Sequence, residues 1–216
     1  MASIGPNELF FLMQGLKWTL ALTAIGFVGG GVFGLLVALA RVAESAVLRN
    51  ATVAYIAIFQ GTPLLMQLFV VYYGVALLGI DIDAWIAVAI AFTLHASAFL
   101  GEIWRGGIQA VPKGQTEAAK ALGLHYVSIM KDVVLPQALK ISLPATIGFL
   151  VQLIKGTSLA AIVGFVELSR AGQIVSNQTY RPLMVFAIVG LIYFLICWPL
   201  SLWGARKEKR LQTAAR

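Results

Sequence analysis

Fourteen uncharged residues, Ile141 to Ile154, precede Lys155, and Gly156, Thr157 and Ser158 follow it before the chain turns apolar again from Leu159 to Val166. A charge held among apolar residues is costly and in a membrane marks a pathway, a partner or a substrate site. With a glycine and two hydroxyls beside it, backbone groups freed at a broken helix could coordinate a polar solute. Three readings of Lys155 stand together: a site, an ion pair with Glu167 or with a neighbouring subunit, or a side chain snorkelling toward water. His95 and Ser97 lie in another apolar stretch. A histidine there packs through a hydrogen bond or meets a ligand, and a serine readily bonds its own helix backbone. Lys155, Thr157, Ser158, Glu167, His95 and Ser97 are the candidate pathway residues. Glu102 and Arg105, three residues apart, can pair at the approach to water. No Cys/His cluster has metal-ligand spacing and no Ser has a local base, so neither a metal nor a catalytic residue is expected. Nor does a Gly-x-x-x-x-Gly-Lys-Ser/Thr phosphate loop occur, so an energy source such as ATP has to be handled by another polypeptide.

The elements that position these groups must be membrane helices. The 216 residues are 60% hydrophobic and 12% charged, with mean hydropathy +0.88, which excludes a soluble domain of ordinary composition. A net charge of +7 and a pI near 9.8 suit nucleic acid only if the basic groups cluster on one face, and here they track topology instead. Cys197 has no partner for an internal disulfide and reads as a small packed hydrophobe. The N-terminus lacks a basic segment leading into a short apolar run with a cleavage site, so no removable signal peptide is expected.

A span needs about 20 mostly apolar residues. Trp18 to Ala40 is the first. Gly26, Gly30 and Gly34 recur there at a four-residue spacing, which bares the backbone on one face for close helix packing. Ala51 to Ile80 holds the second, interrupted at Gln60-Gly61-Thr62-Pro63, where the missing donor of Pro63 predicts a bend. Ala84 to about Gly101 is the third. The fourth is the region around Lys155, broken deep in the membrane, where irregular backbone must be buried in protein or line a wet cavity. A polar connection bracketed by Glu167, Arg170 and Arg181 follows, then a clean fifth span, Pro182 to Ala205. The whole chain, residues 1–216, reads as one all-α membrane domain.

Between the third and fourth spans lies the largest polar block, residues 112–136. It reads as two short helices hinged at Gly123, the first entered after Pro112 and the second closed by Pro136. Such short helices need a packing partner. Ala118, Ala119 and Leu122 share a face of the first; Tyr126, Ile129, Met130 and Val133 share a face of the second. An amphipathic loop lying on lipid is the plain alternative. The spacing of Glu117-Ala118-Ala119, Gly123, Val133 and Leu135-Pro136 resembles the cytoplasmic signature loop of ABC importer permeases. Gly61-Thr62-Pro63-Leu64, Glu102-Ile103, Arg105-Gly106-Gly107-Ile108, Leu135-Pro136-Gln137-Ala138, Lys155 with Thr157-Ser158-Leu159, and Glu167-Leu168 extend the resemblance, in its polar amino acid branch, from about Gly15 to Lys209. Two positions depart from that pattern: Gln60 stands where a basic residue often precedes Gly-Thr-Pro, and Gly156 where Asp or Asn often follows the Lys.

The resemblance implies a type I importer permease of five spans with a two-helix cytoplasmic coupling loop, in a bacterial inner membrane. It implies that Glu117, Ala118, Ala119, Leu122, Gly123, Tyr126, Met130 and Val133 couple the chain to an ATPase. Two such ATPase subunits would bind ATP and Mg, a second permease chain, identical or paralogous, would complete the pore, and a periplasmic solute-binding protein would deliver the solute; no cofactor is expected in this chain. Placing the loop in the cytoplasm puts twelve of the sixteen Lys and Arg, Arg216 among them, on that side. The N-terminus is then outside and the C-terminus inside. An autonomous ion-coupled transporter is the rival class, although five spans do not divide into two equal inverted repeats.

Overall fold

The computed structural model describes residues 4–214, and every regular element among them is helical. In chain order these are α1 (Pro6–Val42), α2 (Ala46–Gly61), α3 (Leu64–Leu77), α4 (Ala84–Gln109), α5 (Lys113–Ala121), α6 (Tyr126–Val163), α7 (Leu168–Thr179) and α8 (Pro182–Ala214). Four of them, α1, α4, α6 and α8, are each long and apolar enough to cross a membrane. The pair α2 and α3 makes a fifth crossing only if counted as one span, and it is bent by 105°. Arg216 lies outside the described residues.

α1 starts at Pro6 and not at Trp18. Pro6 sits in the first turn, where its missing N–H costs nothing, and the Glu8 carboxylate accepts from the Gly5 N–H at 2.8 Å. The extra turns are not idle, since Leu12 and Gly15 are buried, Gly15 directly against Leu168 and Ala171 of α7. Further along, Gly26, Gly30 and Gly34 are all buried against α4. A Cβ at Gly26 would come within 3.0 Å of that of Phe92, one at Gly34 within 3.1 Å of that of Leu100, and one at Gly30 would overlap that of Ala96. Gly101 of α4 returns the approach, facing Val37. In lipid, where burying apolar surface between helices gains little, contact this close supplies the dispersion energy that holds a pair together.

The bend after α2 has a specific carrier. Pro63 donates nothing, and Gln67 reaches back from α3 so that its Nε2 donates to the carbonyls of Phe59 at 2.8 Å and Thr62 at 3.0 Å. Two of the carbonyls left over where α2 ends are thereby satisfied.

Two expectations about α6 are corrected. Pro136 does not close a short helix: the chain runs from Tyr126 to Val163 without a break, through a π turn at Ile129–Val134. That turn has already shifted the hydrogen-bond ladder just where Pro136 has no N–H, and Gln137 Nε2 donates to the Val133 carbonyl at 2.8 Å. The break expected at Lys155 to Ser158 is a change of pitch instead. The α-helix tightens to 3-10 over Thr157–Val163 and ends at Gly164, whose φ of 85° favours glycine. From Lys155 to Val163 the backbone stays helical, and its first non-helical residues are Gly164 to Glu167.

The polar connection is α7, an amphipathic helix whose buried face (Leu168, Ala171, Gly172, Val175, Ser176, Thr179) packs on α1 and α8. One core joins Leu22, Leu68, Phe92, Phe149 and Leu153; a second, smaller one surrounds Leu168; a third, at the end of the bundle that holds α5, gathers Val111, Ala119, Ile129, Val134 and Ala138.

Candidate docking surface and polar pathway

At the tip of the molecule Ala119 is the anchor of α5, 4% exposed against Ile129, Val134 and Ala138. Its neighbours point elsewhere. Glu117, Ala118, Leu122, Gly123 and Tyr126 are exposed, while Met130 and Val133 are half-buried. The face expected to unite Ala118, Ala119 and Leu122 is therefore split, because only Ala119 reaches the cleft between α5 and α6. Gly123, at φ +75°, reverses the chain, with the Leu124 N–H bonded to the Ala119 carbonyl at 3.2 Å. The result is an apolar crest: Leu122 is 81% exposed and Val127 73%, with Leu124 and Tyr126 also open. Leu124 and Val127 were not marked by sequence reasoning, since neither falls on the periodic faces that it used. The crest projects from polar surroundings, so water is its neighbour unless a protein covers it.

The six pathway candidates separate into three environments. Lys155 is exposed and lies on one stripe of α6 with Ala145, Gly148 and Gln152, spaced three, four and three residues apart. Gln152 was missed: one amide in an apolar run gives no pattern. The only ion pairs among the described residues join Glu102 to Arg105 and, at 3.9 Å, to Arg41, so Lys155 is not paired with Glu167.

Glu167 is 0% exposed and caps α7. Its carboxylate accepts from the N–H groups of Ser169 at 2.8 Å and Arg170 at 2.7 Å and from the Tyr193 hydroxyl at 2.9 Å. Thr19 of α1 is within 3.5 Å of the same carboxylate and accepts from the Leu168 N–H at 3.1 Å. Burial pushes this carboxyl above its ordinary value, opposed by those donors. Glu167 thus ties α1, α7 and α8 together and is closed to a solute. Thr157 is likewise fully buried, its hydroxyl donating to the Ile154 carbonyl at 2.7 Å, and half-buried Ser158 donates to that of Lys155 at 2.8 Å. Ser97 is 0% exposed and shares the Leu94 carbonyl with the Tyr55 hydroxyl.

His95 is half-buried beside the bend, with its Nδ1 3.0 Å from Gln67 Oε1. Because Gln67 Nε2 is spent as a donor on α2, its Oε1 must accept, which places a proton on His95 Nδ1. The ring lies 4.5 Å from that of Phe99, centre to centre. Gln67 therefore sets both the bend and the face that His95 presents, a role invisible before the bend itself is known. Among the described residues no three His, Cys, Asp or Glu side chains are grouped to hold a metal.

Known proteins share this architecture. The model of the family described as "Binding-protein-dependent transport system inner membrane component" matches residues 30–213. An arginine transport system permease protein of Bacillus subtilis is 35% identical over 207 residues, covering 95% of this chain and 94% of its own. An L-cystine transport system permease protein of the same organism is 36% identical, covering 93% and 86%. A crystal structure of an amino acid ABC transporter with histidines matches with a TM-score of 0.84 at 34% identity over 93% of this chain and 94% of that one. The methionine ABC transporter MetNI in an inward-facing conformation, at 24% identity and a TM-score of 0.77, shares the fold. The chain belongs to the family of binding-protein-dependent transport system inner membrane components and is a type I ABC importer permease.

Proposed function

We propose that the chain is the membrane-spanning subunit of an ATP-driven importer of a polar amino acid. It pairs with a second permease chain in a bacterial inner membrane, receives solute from a periplasmic binding protein on its outer face, and is driven by two ATPase subunits, which themselves bind ATP and Mg and which the crest couples to the membrane helices. The N-terminus lies outside and the C-terminus inside, as the distribution of Lys and Arg favours. The observation that carries this reading is the crest itself: Leu122, Leu124, Tyr126 and Val127 stand open on a helix pair anchored by Ala119. Lipid is no natural cover for Leu122 and Leu124, because Glu117, Lys120 and His125 are exposed beside them.

Continuity of α6 supplies the transmission. Tyr126 at the crest and Lys155 on the open stripe sit on one rod, and at 1.5 Å per residue they are roughly 40 Å apart. A push on the crest as the ATPase subunits close is delivered to the stripe without an intervening loop. That stripe, with Lys155, Gln152 and Gly148 open to a partner, is the natural wall of the pathway, and His95 of α4 faces Phe149 of α6. Relatives of similar identity are named for arginine and for L-cystine, which supports the class of polar amino acids and no single member of it.

Purification of the membrane complex tests the reading. The ATPase subunits co-purify with the wild-type chain and are lost from Glu117→Ala, or remain with hydrolysis uncoupled from uptake. Uptake that continues without any ATPase subunit and without ATP would overturn the reading in favour of an ion-coupled carrier.

A further inference from the structure

Beside the crest, where the ends of α1 and α2 meet α5, a cleft of about 710 Å³ is lined by Arg41, Arg49, Lys113 and Lys120 with a single carboxylate, Glu117. Four cations against one carboxylate leave it strongly positive. Arg41 is only loosely neutralised: Glu102 gives its short contacts to Arg105 and stands 3.9 Å from Arg41, whose buried Nε has no hydrogen-bond partner among the described residues. We infer that this cleft holds the phosphate headgroup of an anionic phospholipid.

Three features select a lipid over another anion carrier. Arg41 belongs to the last turn of one membrane helix and Arg49 to the first turn of the next, which is headgroup level. Val47 and Leu48, next to Arg49, are 79% and 52% exposed, as acyl-chain neighbours should be. A second, largely apolar groove of about 310 Å³, walled by Leu39, Tyr126, Val127, Met130 and Leu135, shares Ala43 with the basic cleft, so charged and apolar surfaces adjoin as a phospholipid requires. None of the exposed apolar crest residues lines the basic cleft, but Tyr126 and Val127 wall the apolar groove and Glu117 lines the cleft, so a lipid seated here adjoins the ATPase seat and leaves Leu122 and Leu124 free. The inference rests on the membrane reading of α1 and α2, but not on which side of the bilayer they end.

The test uses the full chain in nanodiscs of phosphatidylcholine doped with phosphatidylglycerol, followed by native mass spectrometry of the retained lipid. Phosphatidylglycerol is retained over phosphatidylcholine, and retention falls about fivefold for each cation removed in Arg49→Gln, Lys113→Gln and the double variant; it also weakens with salt. Arg206→Gln, the same charge change on α8 outside the cleft, leaves it unaltered. Size-exclusion elution like that of the wild type shows that each variant is folded. Equal retention of both lipids, an unchanged double variant, or an equal loss in Arg206→Gln would overturn the inference. So would displacement by millimolar inorganic phosphate, which would make this a soluble-anion site, or displacement by added ATPase subunits, which would make it part of a protein interface. Because none of these readouts depends on sidedness, failure here leaves the proposed transport function standing.

Discussion

The α1–α4 interface and the crest both depend on small residues, yet they are opposites. At the interface, Gly26, Gly30 and Gly34 bring two helices so close that no side chain fits between them. At the crest, Ala118 and Gly123 leave their surroundings open, and nothing lies within 4 Å of a Cβ built at Gly123. Small residues in the first place close a surface, and in the second they clear one. A short motif of Gly and Ala therefore carries no meaning until the neighbouring helix is known; burial separates a finished contact from one that awaits another chain.

That contrast can be broken in order of expected damage. Gly30→Leu forces a branched side chain where even a methyl group overlaps Ala96, and should cost about 3 kcal/mol, read as a lowered unfolding midpoint in detergent. Glu167→Ala strands two backbone N–H groups and the Tyr193 hydroxyl and should cost about 2 kcal/mol. Gly123→Val meets no neighbour but must hold a positive φ, a strain of about 1–2 kcal/mol, and it should also weaken retention of the ATPase. Leu122→Ser should leave the unfolding midpoint unaltered while reducing ATPase retention about tenfold, as removal of an exposed apolar anchor does. Should Leu122→Ser destabilise the isolated chain as much as Gly30→Leu, the crest would be core and the comparison would fail. Lys155→Gln sharpens it from the other side: exposed and without an ion-pair partner among the described residues, Lys155 should matter to uptake and not to unfolding.

Much of this was legible in the residues. Uncharged runs located the membrane helices, the four-residue glycine spacing picked out the face of α1 that meets α4, and Pro112 and Gly123 bounded α5 correctly. What stayed hidden depends on contacts between distant segments. Periodicity could not show that α6 passes through Pro136, because a π turn shifts the ladder without leaving a mark in composition. Lys155-Gly156-Thr157-Ser158 looks like a helix break, but the two hydroxyls fold back on the carbonyls three residues before them and the backbone stays helical. Glu167 resembles a pathway carboxylate until Thr19 and Tyr193, far away in sequence, are seen beside it. Gln67 gave no signal at all, since its partners exist only once the chain has turned at Pro63.

The notch at Gly30 also sets an order of biogenesis. α1 leaves the ribosome long before Ala96 of α4 exists, so it first enters the bilayer with acyl chains filling the groove that α4 will later occupy. Those chains must be expelled, and α2 with α3 must already be folded aside, before the two helices can close. A translocon or insertase that releases α1 too early gives lipid time to linger there, and co-translational assembly of this subunit is expected to stall at that step.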